Sequence, residues 1–135
     1  MAELEARKAL LQGVISASVS VPIKWENAEF TTPNNGGWAA VYILNMDDSL
    51  NTLGANGLNR IDGVMQISVF TPKGAGDLSA YQLASEFRSI FKTGAKLTAD
   101  GQVVHILSAS MRNGPTEPNW YSQIINVEFY AYKAR

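Results

Sequence analysis

The sequence predicts one α+β domain with its elements in the order α-β-β-β-α-β-β, a mostly antiparallel sheet packed against helices. Three observations lead there. Two segments, 2–16 and the stretch that follows Gly76, repeat apolar residues at helical spacing. Five others read as strands, four by alternating apolar and polar residues and one, 38–45, by a dense run of β-formers. And 135 residues suffice for one core of ordinary size, whereas two cores would leave each half too small to stand alone, so the domain runs 1–135.

The first helix, 2–16, places Leu4, Leu11 and Ile15 near one face with Leu10 and Val14 beside them. Glu3 and Glu5 stand in its first turn, where the helix dipole favours negative charge, and Gly13 weakens its last turn. From 19 to 30, Val19, Val21, Ile23 and Trp25 alternate with Ser20, Pro22, Lys24 and Glu26. Pro22 cannot donate to a ladder, which makes this strand short or puts it at an edge. The turn cluster Thr32-Pro33-Asn34-Asn35-Gly36-Gly37 separates it from 38–45, a strand apolar on both faces and therefore covered on both. Residues 46–59, rich in Asp, Asn and Gly, read as a long loop, and loops of that length in small domains are generally functional or mobile.

The clearest strand is 60–72. Met65, Ile67 and Val69 point one way, and Val64, Gln66, Ser68 and Phe70 the other, before Pro72-Lys73-Gly74-Ala75-Gly76 ends it. In the second helix, capped by Asp77 or Ser79, the residues Ala80, Leu83, Ala84, Phe87, Ile90 and Phe91 form a continuous apolar stripe, and Gly94 stops it. Strands 102–111 and 120–132, joined through Asn113-Gly114-Pro115 and Pro118, close the chain as a long hairpin.

Composition excludes more chemistry than it suggests. There is no cysteine, which removes disulfides, zinc thiolates and cysteine nucleophiles, and a single histidine leaves little scope for a metal site or a catalytic triad. Net charge is −1 with a pI near 5.8, against the basic surplus that gripping phosphate backbones requires. No apolar run approaches the ~20 residues of a membrane span or forms a signal core, so a soluble protein without a membrane partner is expected. Hydrophobic residues are 46% of the chain and charged residues only 17%, below the usual quarter or so. A surface this poor in charge is filled by Asn, Ser, Thr, Gln and Gly, or is covered by another protein.

Individual motifs carry little chemistry. Gly74-Ala75-Gly76 lies between a strand and a helix, where dinucleotide sites occur, but the third glycine of that fingerprint falls on Ser79 and no phosphate-binding Lys-Ser/Thr pair follows. Asp47, Asp48, Ser49 and Asn51 suggest a calcium loop, yet Leu58 stands where its bidentate glutamate belongs. His105 has no local partner; a hydrolase or ligand site built on it would have to gather Asp62 and Arg60 from other elements into a concave pocket. Between Lys24 and Arg60 there are four acids, Glu26, Glu29, Asp47 and Asp48, and no base, a locally negative region that would repel DNA. On the last strand, Ile124, Tyr130 and Tyr132 share a face that fits either a second buried side or a neighbouring chain.

The segment Asn59 to Gly76 carries a Gly-x-x-Gln-hydrophobic-x-Val strand (Gly63, Gln66, Ile67, Val69) running into a Pro-x-Gly-x-Gly turn (Pro72, Gly74, Gly76). A helix with Ala80 and Ala84 follows and ends near Phe91 and Gly94. In these features the chain resembles the tail terminator-like proteins of long-tailed bacteriophages. The N-terminal helix, Trp25-Glu26-Asn27 near a proline-containing strand, and the closing hairpin extend the resemblance over most of the chain in element order. The resemblance implies a non-enzymatic virion protein with no cofactor, assembled in the bacterial host cytoplasm. It implies a ring of copies, commonly a hexamer, that caps the head-proximal end of the tail tube, stops polymerisation and offers a surface to head-completion or neck proteins while DNA passes without specific binding. A head–tail connector or a tube-forming subunit is the nearest alternative. Trp38, Asp47, Asp48, Arg60, Trp120, Tyr130 and Tyr132 are the candidate interface residues, with 46–59 as an arm toward a neighbour.

Overall fold

The strand that the sequence marks most plainly becomes the middle of the sheet. In the computed structural model, which describes residues 2–16, 21–26, 30–31, 37–50, 57–74, 78–115 and 119–134, β3 (Leu58–Pro72) lies between β2 (Trp38–Leu50) and β6 (Trp120–Ala134). Beyond β6 lie β5 (Gln102–Asn113) and β4 (Lys96–Ala99), and β1 (Ile23–Lys24) flanks β2, giving the order β1-β2-β3-β6-β5-β4. The β1–β2 pair is parallel and the other pairings are antiparallel, so the sheet is mixed.

Alternation along the strands sorts the side chains. Met65, Ile67 and Val69 of β3, Ile125, Val127, Phe129 and Ala131 of β6, Val104 and Ile106 of β5, and Ala39 and Val41 of β2 are buried together. Helices α1 (Ala2–Ser16) and α2 (Leu78–Ile90) cover that face. The stripe of α2 behaves as its spacing predicts: Ala80, Leu83, Ala84, Phe87 and Phe91 are buried and Ile90 is half-buried. Gly94, at φ +85°, takes the left-handed conformation after the helix and donates its N–H to the Ile106 carbonyl. Whether Asp77 or Ser79 caps α2 lies outside the described residues, as do the turn at 32–36 and part of the predicted strand 19–30.

Four expectations change. The packed face of α1 is Ala6, Ala9, Leu10, Gly13 and Val14, while Leu4 and Ile15 are 55% and 63% exposed. Small residues win that face because they let the helix sit close. A Cβ added at Gly13 would be only 3.1 Å from the Phe91 ring and 3.2 Å from Leu97. Second, β1 is reduced to Ile23–Lys24, at the edge as Pro22 demands; the carbonyl of Pro22 accepts from Ala39 N at 3.0 Å. Third, β4 is an additional strand. It is joined to β5 by Asp100-Gly101 at φ +51° and +82°, the pair of positive φ values that suits a two-residue hairpin. Fourth, much of 46–59 is not loop: β2 continues to Leu50 and β3 begins at Leu58, paired as far as Leu50 with Asn59.

Candidate functional site

The helix-free face of the sheet carries most of the predicted interface residues. Register places them. Arg60 lies opposite Tyr132, Asp62 opposite Tyr130, and Tyr130 opposite His105. Arg60 Nε donates to Asp62 Oδ1 at 2.9 Å, and its guanidinium lies 4.2 Å above the Tyr130 ring. The hydrogen bond to Asp62 is the main reason the Arg60 pKa is raised, partly opposed by desolvation. His105 stacks on Tyr130 with centroids 4.8 Å apart, and Tyr132 meets both rings edge-on. A row of cation, phenol and imidazole therefore crosses β3, β6 and β5.

The opposite end of the same face is aromatic. Trp38 stacks on Phe70, its partner across β2–β3, at 4.0 Å, and meets Trp120 edge-on at 5.9 Å and Phe30 at 5.4 Å. Trp38 is 9% exposed and Trp120 half-buried. The predicted residues thus fall into two clusters, Trp38 with Trp120 and Arg60 with Tyr130 and Tyr132. Asp47 and Asp48 are exposed on the outer part of β2.

His105, Asp62 and Arg60 do share one sheet face, but in a row. The carboxylate of Asp62 is held by Arg60, and the His105 ring is occupied by Tyr130. None of the three lines the cavity of about 470 Å³ between α2 and β5 or the one of about 160 Å³ beside Trp120. Among the described residues, no three His, Asp or Glu side chains gather to hold a metal ion.

Folding also redistributes the local negative charge. Glu26 meets Arg7 at 3.3 Å, and Asp48 meets Lys133 at 2.6 Å, bases that lie far away in sequence. Glu26 Oε1 further accepts from Ile43 N at 3.2 Å, beside the β2 bulge between Ile43 and Asn45. Past the two residues of β1, this side chain stands in for a strand neighbour. Nothing in the spacing of Glu26 announces that task. On the other sheet edge, Arg88 Nε donates to the Ala109 carbonyl at 3.0 Å, a contact equally invisible in sequence. The signal for β4 was present in Asp100-Gly101, flanked by Leu97 and Ala99 on one side and Val103 and Val104 on the other.

The helix-free face of the sheet thus presents two ordered clusters, one aromatic and one of cation, phenol and imidazole. The family model of the phage tail terminator protein matches residues 4–129. The chain belongs to the phage tail terminator family. It is therefore a structural protein of a phage tail. One solved structure is 23% identical to this chain, covers 94% of it and 92% of its own length, and superposes with a TM-score of 0.73. A chain from the virion of a native gene transfer agent particle is 19% identical, with 97% and 96% coverage and a TM-score of 0.59. At such identities the likeness is one of fold. No curated protein sequence matches the terminator chain.

Proposed function

We propose that the protein caps the head-proximal end of the tail tube as a closed ring of identical copies, ends tube polymerisation there, and offers its free side to head-completion or neck proteins. It acts by fitting surfaces together, without bond-making or bond-breaking, and assembles in the bacterial host cytoplasm. The observation that carries this reading is the family match over residues 4–129. The clusters around Tyr130 and Trp38 support it as ordered polar and aromatic faces of the kind that subunit contacts use. A net charge of −1 lacks the basic surplus that gripping phosphate backbones requires, in keeping with passage through a bore without specific binding.

The test separates ring from filament. Light scattering and negative-stain imaging of the purified protein, alone and added to polymerising tube subunits, should give closed rings and tubes of restricted length. Long cylinders formed by this chain alone would instead make it a tube subunit. Tubes that grow unchecked in its presence would refute termination.

A further inference from the structure

At each side of the sheet a short edge strand, β1 or β4, leaves part of the longer strand next to it, β2 or β5, without a strand beside it among the described residues. β4 ends opposite His105, and the last backbone bonds to β5 on that side join Gly94 and Ala95 to Ile106. Beyond this, 107–113 of β5 has no strand beside it among the described residues. On the far side, β1 accompanies β2 only at Ala39 and Ala40, and Glu26 covers Ile43, so among the described residues 44–50 has no strand beside it either. Open edges of this length are templates for pairing with another chain.

The two edges are complementary in charge. Segment 44–50 carries Asp47 and Asp48 and no base of its own, with Lys133 of β6 paired to Asp48. Segment 107–113 carries Arg112, and Arg88 and Lys92 of the neighbouring helical segment line the cavity that runs along it at Ala109. Among the described residues, Arg88, Lys92 and Arg112 face no carboxylate within ion-pair distance. Aligned antiparallel and centre to centre, the segments place Asp48 opposite Ala109 and Asp47 opposite Ser110. The sheet faces agree. Asp48 pairs with Ile61, and Ala109 with Val127, both on the helix-covered face; Asp47 pairs with Asp62, and Ser110 with Asn126, on the bare face. Asp48, 2.6 Å from Lys133 in the free chain, then lies next to Arg88, whose Nε would leave the Ala109 carbonyl to the incoming strand, and Asp47 is diagonal to Arg112, within the reach of long side chains across a ladder.

Direction and stagger also agree. β2 is antiparallel to β3, β3 to β6 and β6 to β5, so β2 and β5 run oppositely and would meet antiparallel in a sheet continued by rotation. The edges are displaced along the strands. Leu50 is level with Lys133 of β6 through Asn59, whereas Asn113 is level with Gln123. Between segment centres, Asp47 is level with Tyr130 through Asp62 and Ser110 with Asn126, a displacement of four residues along β6; strands tilted by about 35–45° in a closed sheet advance roughly one residue per strand, about four over the four strands β2, β3, β6 and β5. Pairing two 44–50 edges would oppose acid with acid, and two 107–113 edges would bring together bases, so each edge prefers the other kind. That is a heterologous contact, the kind that closes rings.

We propose that copies of this chain join edge to edge, 44–50 of one copy adding as a strand to 107–113 of the next, with Asp47 and Asp48 set against Arg112, Arg88 and Lys92. The inference rests on the ring reading and specifies its interface. The absence of cysteine makes the test clean. Positions 47 and 110 flank the 48–109 pair, whose backbone groups face outward, and so form a close non-hydrogen-bonded pair suited to a disulfide. In the double variant Asp47→Cys with Ser110→Cys, mild oxidation should give a ladder of covalent multimers ending at the ring size, and neither single variant should exceed a dimer. In parallel, Asp47→Arg and Arg112→Asp should each dissolve the ring, and the two together should restore it, with circular dichroism showing a folded chain throughout. Rings that form in the double-cysteine variant without cross-linking would overturn the edge interface and leave the ring itself standing. Cross-links that form only to added tube subunits would overturn a second copy as the occupant. A chain that stays monomeric both alone and on tubes would remove the ring reading and this interface together.

Discussion

Gly63→Ala is the substitution whose outcome the structure fixes most narrowly. Gly63 is buried on β3 between Met46 of β2 and Phe129 of β6, on the helix-covered side. A Cβ there would fall on the backbone carbonyl oxygen of Asn45 and 2.5 Å from Phe129 Cζ. The carbonyl is fixed by the ladder next to the β2 bulge, and the ring is only 1% exposed with the core packed round it, so neither retreats freely. Two effects oppose each other. Replacing glycine narrows the unfolded ensemble and stabilises by about 0.4–1 kcal/mol where the site accepts a side chain. Overpacking costs about 1–3 kcal/mol, and a clash with backbone belongs at the upper end. The net loss is therefore about 2–2.6 kcal/mol, a fall in melting temperature of roughly 7–9 °C for a chain of this size. Urea denaturation followed by circular dichroism measures it. An unchanged or raised midpoint would refute the close approach of Phe129 and Asn45 over this residue.

Phe87→Ala removes a fully buried ring from the centre of the α2 stripe and should cost about 3–5 kcal/mol in the same assay; a loss under about 1 kcal/mol would overturn the face assignment. Gly101→Ala meets no atom within 4 Å, so its cost comes from φ +82° alone: a modest drop in stability is expected, with amide exchange accelerating first in β4, and uniform exchange would contradict this. Arg60→Ala releases Asp62 and uncovers Tyr130 without opening the core, so the monomer should stay folded while assembly weakens; sedimentation showing an unaltered oligomer would count against Arg60 as an interface residue.

Much of the fold was legible along the chain. Alternation at 60–72 and 120–132 gave strands whose inward residues are those found buried, and the α2 stripe gave its packed face, because apolar burial at a fixed period is a local property of sequence. The reading failed where burial was settled by a partner distant in sequence. In α1 the large residues Leu4 and Ile15 outweighed alanines and a glycine in the pattern, yet Phe91 and Leu97 leave room only for the small side. Residues 46–50 are too polar to look like strand, and they are one because β3 offers them a ladder.

For this protein the sequence by itself determined the α+β class, the single core, the lack of cysteine chemistry and the family resemblance, since each rests on composition, period or contiguous motif. Only the tertiary structure decided that Arg60, Tyr130 and His105 form one row, that Arg7 and Lys133 answer Glu26 and Asp48, and that, among the described residues, β2 and β5 run on past the short edge strands β1 and β4. Those facts depend on strand order and register, and both are set by which hydrophobic faces meet across long stretches of chain.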